Sequence, residues 1–373
     1  GPHVNLPLSA TVTPFDPEML KYVMAEQVLE AGVDLLLHAT VVGVVQDENR
    51  ARGVIVEGKS GRAAVLGKVT VDATGDADVC YAAGVPVQKG RESDGRMMGS
   101  SLHINGHGIQ YRPLWDYVQT HPEDVPRWAS LVPVEGGCIP PYFDMMRFAC
   151  HGFQVSMQAA KARGELYFTQ GELGIWPRMG GGQLELNITR VDVDGTDIAG
   201  LTQAQIECRK QAVSIIAFLR REIPGFQNAY IGQVSPEVQR RETRRIVGDY
   251  VMTAQDLLQP GMCPDSVAKS GYPIEVHNPD TGQREWQIPQ RVYYVPYRVF
   301  HPKGAENLIV GSARSLSVTH EVAGALRVSP LPIATGQAAG VAAGLAALQG
   351  MTPAKLDAAE VREKLLGQGA VVE

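Results

Sequence analysis

Three glycine-bearing stretches of this chain have the residue types needed to hold a ligand against bare backbone. The first is Thr70-Val71-Asp72-Ala73-Thr74-Gly75-Asp76, an apolar strand running into a small-residue turn. Gly75 removes the side chain that would keep a ligand away from the backbone N–H groups. The second, Asn307-Leu308-Ile309-Val310-Gly311-Ser312-Ala313-Arg314, also ends an apolar run in small residues. It sets Arg314 at the strand's carboxyl end, where open α/β sheets bind ligands. The third runs from Ala334 to Gly344 and repeats glycine at 336, 340 and 344. A helix starting there offers unpaired N–H groups and positive partial charge to an anion. Each stretch also has a plain structural reading: strand–glycine turns are common, and a glycine stripe lets another backbone pack closely.

Other constellations carry less. Arg241, Arg244 and Arg245 cluster around Glu242 and Thr243. They suit either bidentate capture of a carboxylate or an internal salt-bridge network, and the spacing favours the network. Arg298, in Pro296-Tyr297-Arg298, reads as a substrate contact or a buried anchor. His103 and His107 would share a helix face, but Asn105-Gly106 between them breaks a helix, so no metal is expected there. In Cys150-His151 the adjacent side chains point apart on any regular element, so neither activates the other. No GxSxG, HExxH or GxxxxGK[ST] occurs, which removes the usual signals of serine hydrolases, zinc peptidases and P-loop enzymes.

The elements that must position these residues follow from pattern. Asp16-Pro17-Glu18 opens a helix, with apolar residues at 20, 23, 24 and 28 and a stop at Gly32. A strand is expected from Val33 to about Val45. Turns at Asp47-Glu48-Asn49 and Lys59-Ser60-Gly61 then make a β-meander with Gly53–Glu57 and Ala63–Val71. A short helix covers 76–83. The long middle region holds helices at 144–162 and from a Thr202 cap to Glu222, with a strand over 184–191. Strand 307–310, a small-residue helix over 333–348 and an amphipathic helix over 356–366 close the chain.

At 373 residues the chain is long enough for about two domains. Its 34 basic and 40 acidic residues give a net charge of −6, which argues against nucleic acid as a partner. Five cysteines without a CxxC pair argue against a cysteine-only zinc or iron–sulfur site and suit reduced thiols in the cytoplasm. The start, Gly1-Pro2-His3, has no basic stretch followed by an apolar core, lacks methionine, and reads as a processed end. Segment 333–348 contains Thr335 and Gln337 and reads as a packed helix rather than a membrane span.

The order of the three motifs, helix–strand–meander, ATGD turn, long insertion, strand–GSAR and glycine-rich helix, resembles the FAD-dependent oxidoreductases with the glutathione-reductase-type fold, a bacterial group among them in particular. Further matches are Leu186–Val191, Arg241–Gly248, Val295–Arg298, Ser317–Glu321 and Ala334–Gly340, which together span most of the chain from residue 16 onward. The resemblance implies an α/β protein: a partial FAD-binding fold with its β-meander, plus an inserted α+β substrate or cap domain. The expected divisions are 1–98 and 303–373 for the FAD domain and 99–302 for the cap. It further implies FAD as cofactor and a small-molecule substrate oxidised or reduced by hydride transfer. Adenine and ribose contacts fall to Val41, Val42, Thr74, Gly75 and Asp76. Phosphate and ribitol contacts fall to Gly311, Ser312, Ala313 and Arg314, and the ring meets a helix start at Gly336, Gln337 and Ala338. His320 is then the proton donor or substrate ligand and Arg327 an anion ligand, both beside the flavin ring.

Two departures qualify the resemblance. The family opens with a strand–GxGxxG–helix unit that holds the FAD pyrophosphate; this sequence contains no GxGxxG. Ala313 stands where glycine is usual in the resembling motif. The chain is therefore expected to be a truncated form of the parent. The alternative is a catalytically inactive, cofactor-free fragment or subunit that self-associates as a homo-oligomer, or a subunit that needs a partner chain to complete the FAD domain.

Overall fold

The computed structural model describes residues 15–130, 148–178, 182–282, 284–328 and 330–372. The chain divides into two compact units, each built from several chain segments. One contains residues 1–35, 99–240 and 277–283; the other contains 36–98, 241–276 and 284–373. The expected boundary at 302 therefore differs from the observed one. Residues 241–276 and 284–302 join the second unit because Ile246, Met252, Leu257, Val267, Tyr293, Val299 and Phe300 are buried in its core. Residues 15–35 group with the first unit instead of the meander.

The first unit is organised on a six-stranded antiparallel sheet. Across it the strands run Tyr230–Val234, His103–His107, Leu184–Asn187, Leu173–Pro177, Phe148–Gly152 and Arg127–Ser130. Side chains alternate between faces with the strand period of two. Ile104, Leu184, Leu186, Ile175 and Cys150 share an apolar core with Ala212, Ile215, Ile216, Phe218 and Leu219 of the long helix Ile198–Glu222. His103, Asn105, His107, Glu185 and Asn187 occupy the alternate positions and are only half-buried. The helix starts four residues before Thr202. Asp197 caps it, accepting from the Ala199 and Gly200 N–H groups, while the Thr202 hydroxyl donates to the Ile198 carbonyl from inside the first turns. In the same unit Asp16 caps helix Pro17–Glu30 as expected, and that helix buries none of its residues.

In the second unit the meander forms with antiparallel strands Thr40–Asp47, Arg50–Gly58 and Gly61–Leu66; its third strand, expected over 63–71, ends at Leu66, and Val71 belongs to a separate strand. Glu48 takes a left-handed φ of 52° at the first turn. The expected strand start at Val33 moves to Thr40, since segment 33–39 pairs with no strand among the described residues and Leu36 and Leu37 are exposed. Strand Thr70–Asp72 pairs in parallel with Leu308–Val310, aligning Val71 with Ile309. Leu308, Ile309 and Val310 are buried, as are Ala338, Ala339, Ala342 and Ala346 of helix Pro330–Gln349. The terminal helix Ala358–Gly367 buries Val361 and Leu365 in the same core.

Helix Pro330–Gln349 corrects one expectation. It begins six residues before Gly336, because Pro330 and Pro332 fit a first turn whose N–H groups have no intrahelical partner. Gly336, Gln337 and Ala338 lie inside the helix and do not form its positive end. The packing stripe is alanine, and the glycines are bare: at Gly340 and Gly344 an added Cβ would meet nothing within 4 Å. Among the described residues this helix alone is long and apolar enough to cross a membrane by length and composition; alanines 338, 339, 342 and 346 pack it onto the core instead.

Candidate functional site

The parallel pairing of two short strands brings the first two motifs to the same place. Both chains turn at the carboxyl ends of their strands, where the Gly311 N–H donates to the Asp72 carbonyl at 2.8 Å. Asp72 is fully buried and builds the first turn: its carboxylate accepts from the Thr74 N–H and hydroxyl and from the Cys80 N–H. Burial, together with the neighbouring Asp72 charge, pushes the Cys80 thiol far above its ordinary pKa, so it stays an inert thiol.

Two glycines in this region answer to sterics. Gly75 has φ of +85°, and a Cβ there would lie 2.7 Å from Arg314 Nη2. At Gly311 a Cβ would lie 2.8 Å from Val71 Cγ1. Behind Gly311 stands the third motif, with Thr335 donating to the Gly311 carbonyl at 3.5 Å. Ala313, where the resemblance favours glycine, is buried and does not take a positive φ, so alanine is accommodated.

The charged residues of the two turns engage each other. Arg314 Nε donates to the Gly75 carbonyl at 2.8 Å, and its Nη2 pairs with Asp76, which also accepts from the Thr243 hydroxyl. Arg314 and Asp76 thus clasp the two turns, and what remains open to a ligand is backbone and small residues: exposed Ala73 and Thr74 and half-buried Ser312. Val41 and Val42 lie on the first meander strand, Val41 packed against the core and Val42 exposed. Gln337 donates to Gln368, and Ala338 is in the core.

His320 begins the helix His320–Leu326 and is 3% exposed. Its Nδ1 lies 2.8 Å from Glu242 Oε2, and a carboxylate oxygen only accepts, so Nδ1 is the donor. That Nε2 is buried and finds no hydrogen-bond partner among the described residues. Glu242 is itself buried, pairs with Arg245 and accepts from the Met98 N–H. Arg245 completes its shell with the carbonyls of Val318 and Gly90, each at 2.9 Å.

Arg327 follows the same helix and is anchored to Glu275 Oε2 at 3.2 Å, a carboxylate that also accepts from the Tyr272 hydroxyl and pairs with Arg284. Burial and the Glu275 charge drive the Tyr272 phenol well above its ordinary pKa, so it stays a donor.

The remaining sequence candidates separate. The arginine cluster is an internal network: Arg245 binds Glu242, and Arg244 pairs with Asp78 while lying 4.3 Å from the Tyr81 ring centroid. Arg298 is exposed, neither a buried anchor nor enclosed, and pairs with Asp265 beside the Tyr250 ring. His103 and His107 sit on a strand, and no group of metal-capable side chains occurs among the described residues. Cys150 and His151 point to opposite faces of their strand, Cys150 into the core.

Sequence reasoning missed three partners: Asp72 as the turn's scaffold, Glu242 behind His320 and Glu275 behind Arg327. Glu242 left a trace as the acidic residue inside an arginine run. Its pairing with His320 spans 78 residues and is not a local pattern.

The profile of the FAD dependent oxidoreductase family matches residues 2–365. Among solved structures, a flavin-dependent brominase is similar at 13% identity and a TM-score of 0.44, covering 96% of this chain and 61% of the brominase. A geranylgeranyl bacteriochlorophyll reductase-like protein from Thermoplasma acidophilum gives 11% identity and 0.43, covering 95% and 59%. A myxobacterial chondrochloren halogenase gives 11% and 0.39, covering 95% and 56%. The chain thus spans about three fifths of the length of these structures. A search of curated proteins found no match.

Proposed function

The chain belongs to the FAD dependent oxidoreductase family, and we propose that its second unit carries part of the FAD site and serves hydride transfer between flavin and a small-molecule substrate. The observation that carries this reading is the joining of the 72–76 and 311–314 turns at the carboxyl ends of one parallel strand pair. Gly311 there sits where a Cβ would collide with Val71, while the exposed residues Ala73 and Thr74 leave room for a ligand. Val41, Val42, Thr74 and Gly75 would hold the adenosine end, and the backbone of 311–314 the phosphate and ribitol. Gly336 and Gln337 would border the site as helix surface rather than as a helix end. FAD, when bound, supplies the electron pair and the hydride acceptor. His320 would take or hold a proton at Nε2, its ring oriented by the Nδ1–Glu242 contact, and Arg327 would orient an anionic substrate group.

The test is a visible spectrum of the purified chain after incubation with excess FAD and desalting. A retained and shifted flavin band, lost in Gly311→Val with the fold intact, is the expected result. A wild-type chain that retains no flavin overturns binding by this chain alone.

A second reading is a subunit or fragment completed by another segment bearing the GxGxxG unit. It is favoured by the bare glycine face of helix Pro330–Gln349 and by exposed Ile333 and Leu348 on that helix. Retention of flavin only after a separately expressed strand–GxGxxG–helix unit is added would favour it.

A further inference from the structure

A cavity of about 200 Å³ opens on the polar face of the six-stranded sheet in the first unit. Part of its lining is one row across three strands. Antiparallel register sets Gln233 opposite Asn105 and Asn105 opposite Glu185, so the three share a face. His103, two residues from Asn105, lies on that face too. Pro17, Glu18 and Lys21 from the first turns of helix Pro17–Glu30 also line the cavity, as does Arg178, just past strand Leu173–Pro177.

One ion pair in this lining is only loosely made. Arg178 Nη1 and Glu185 Oε2 are 3.6 Å apart, beyond hydrogen-bond reach. The Arg178 guanidinium makes no hydrogen bond to any described residue, and Oε2 accepts none; Oε1 accepts from His103 Nδ1. The two side chains are 25% and 32% exposed, so both are open to a ligand. A guanidinium carries five N–H donors and a carboxylate about four lone-pair sites, so each has bonding capacity left. Burial works against the Glu185 charge, but the His103 hydrogen bond and the charges of His103 and Arg178 outweigh it and hold its pKa below the ordinary value. Glu18 and Lys21 differ: they are hydrogen-bonded to each other at 2.8 Å, with side chains 77% and 71% exposed, so their charges cancel and are screened.

We propose that the cavity binds a free α-amino acid as its zwitterion, with the carboxylate held by the Arg178 guanidinium and the ammonium by Glu185 Oε2. Charge selects the class. Glu18 and Glu185 oppose Lys21 and Arg178, so the lining sums to zero with the His103 imidazole neutral. A ligand of one sign meets like charge as well as opposite charge there. A zwitterion replaces the loose 3.6 Å contact by two hydrogen-bonded pairs, and the guanidinium fork matches a carboxylate bidentately. Size limits the side chain: the cavity is smaller than the roughly 300–1,000 Å³ of pockets for drug-sized ligands. The exposed carboxamides of Gln233 and Gln239, which make no hydrogen bond to described residues, favour a short polar one. The proposal concerns the first unit and stands independently of where flavin binds.

Saturation-transfer difference NMR on the whole chain tests it, with L-serine and L-glutamine as zwitterionic probes. N-acetyl-L-serine, which lacks the ammonium, and L-serinamide, which lacks the carboxylate, are the single-charge probes. The expected result is a saturable signal from a zwitterion, with both single-charge probes roughly tenfold weaker or more. Arg178→Met should weaken zwitterion binding by a similar factor while the melting temperature holds, since that guanidinium makes no hydrogen bond within the described chain. Should that variant not fold, Arg178→Lys, which keeps the charge but loses the fork, must show the loss. Glu185→Gln should narrow the gap between L-serine and N-acetyl-L-serine, a change in selectivity that a merely structural role would not produce. The proposal is overturned if no zwitterion saturates, if a single-charge probe binds as well, or if binding and selectivity survive unchanged in the variants.

Discussion

Replacing Glu242 tests whether the second unit is held by a buried ionic network or merely contains one. Glu242 and Arg245 have side chains 0% and 1% exposed, and the carboxylate also receives His320 Nδ1 and the Met98 N–H. Glu242→Gln keeps shape and one acceptor oxygen but leaves the Arg245 guanidinium with only the carbonyls of Val318 and Gly90. Removing one partner of a buried pair costs about 3–5 kcal/mol, against a typical total stability of about 5–15 kcal/mol. At about 2–4 °C per kcal/mol for a domain of this size, the expected fall in Tm is roughly 10 °C. Glu242→Leu with Arg245→Met removes both charges and should recover most of that loss, since an apolar pair of similar volume is often neutral or stabilising. The assay is urea unfolding of wild type, Glu242→Gln, Glu242→Leu, Arg245→Met and the double, the last three read with wild type as a double-mutant cycle. A single-variant cost below about 1 kcal/mol, the range of exposed pairs, with an additive double would refute the buried network and, with it, the positioning of His320.

Further outcomes follow from the same geometry. Gly311→Ala places a Cβ 2.8 Å from Val71 Cγ1 and should cost about 1–3 kcal/mol by overpacking, measurable as a lower urea midpoint. Gly340→Ala and Gly344→Ala meet no neighbour and should each add about 0.5–1 kcal/mol of helix stability; a loss instead would show that the glycine face is covered. His301 is held neutral, its pKa lowered to about 4 by burial against the opposing charges of Asp265 and Asp249. The unfolded chain binds the extra proton first, so stability should fall as pH drops from about 6.5 towards 4 and level off below. Urea midpoints across that range should lose that contribution to their slope in His301→Gln.

Local pattern determined much of the scaffold. Asp16-Pro17-Glu18 announced a capped helix, the turns at 47–49 and 59–61 announced the meander, and small residues after two apolar runs marked the 72–76 and 311–314 turns. These features depend on residues within a few positions of one another, where φ preference, capping and alternation act. What lies far apart in sequence was decided by tertiary structure. Prolines 330 and 332 let the last long helix start early, and its alanines rather than its glycines found the core. Segment 33–37 is apolar enough for a strand yet pairs with none among the described residues, because a strand exists only where another offers it hydrogen bonds. Glu242 reaches His320 across 78 residues, and Glu275 reaches Arg327 across 52. Two asparagines 82 positions apart share one sheet face because antiparallel register, which no local window encodes, sets His103 against Asn187 and Asn105 against Glu185.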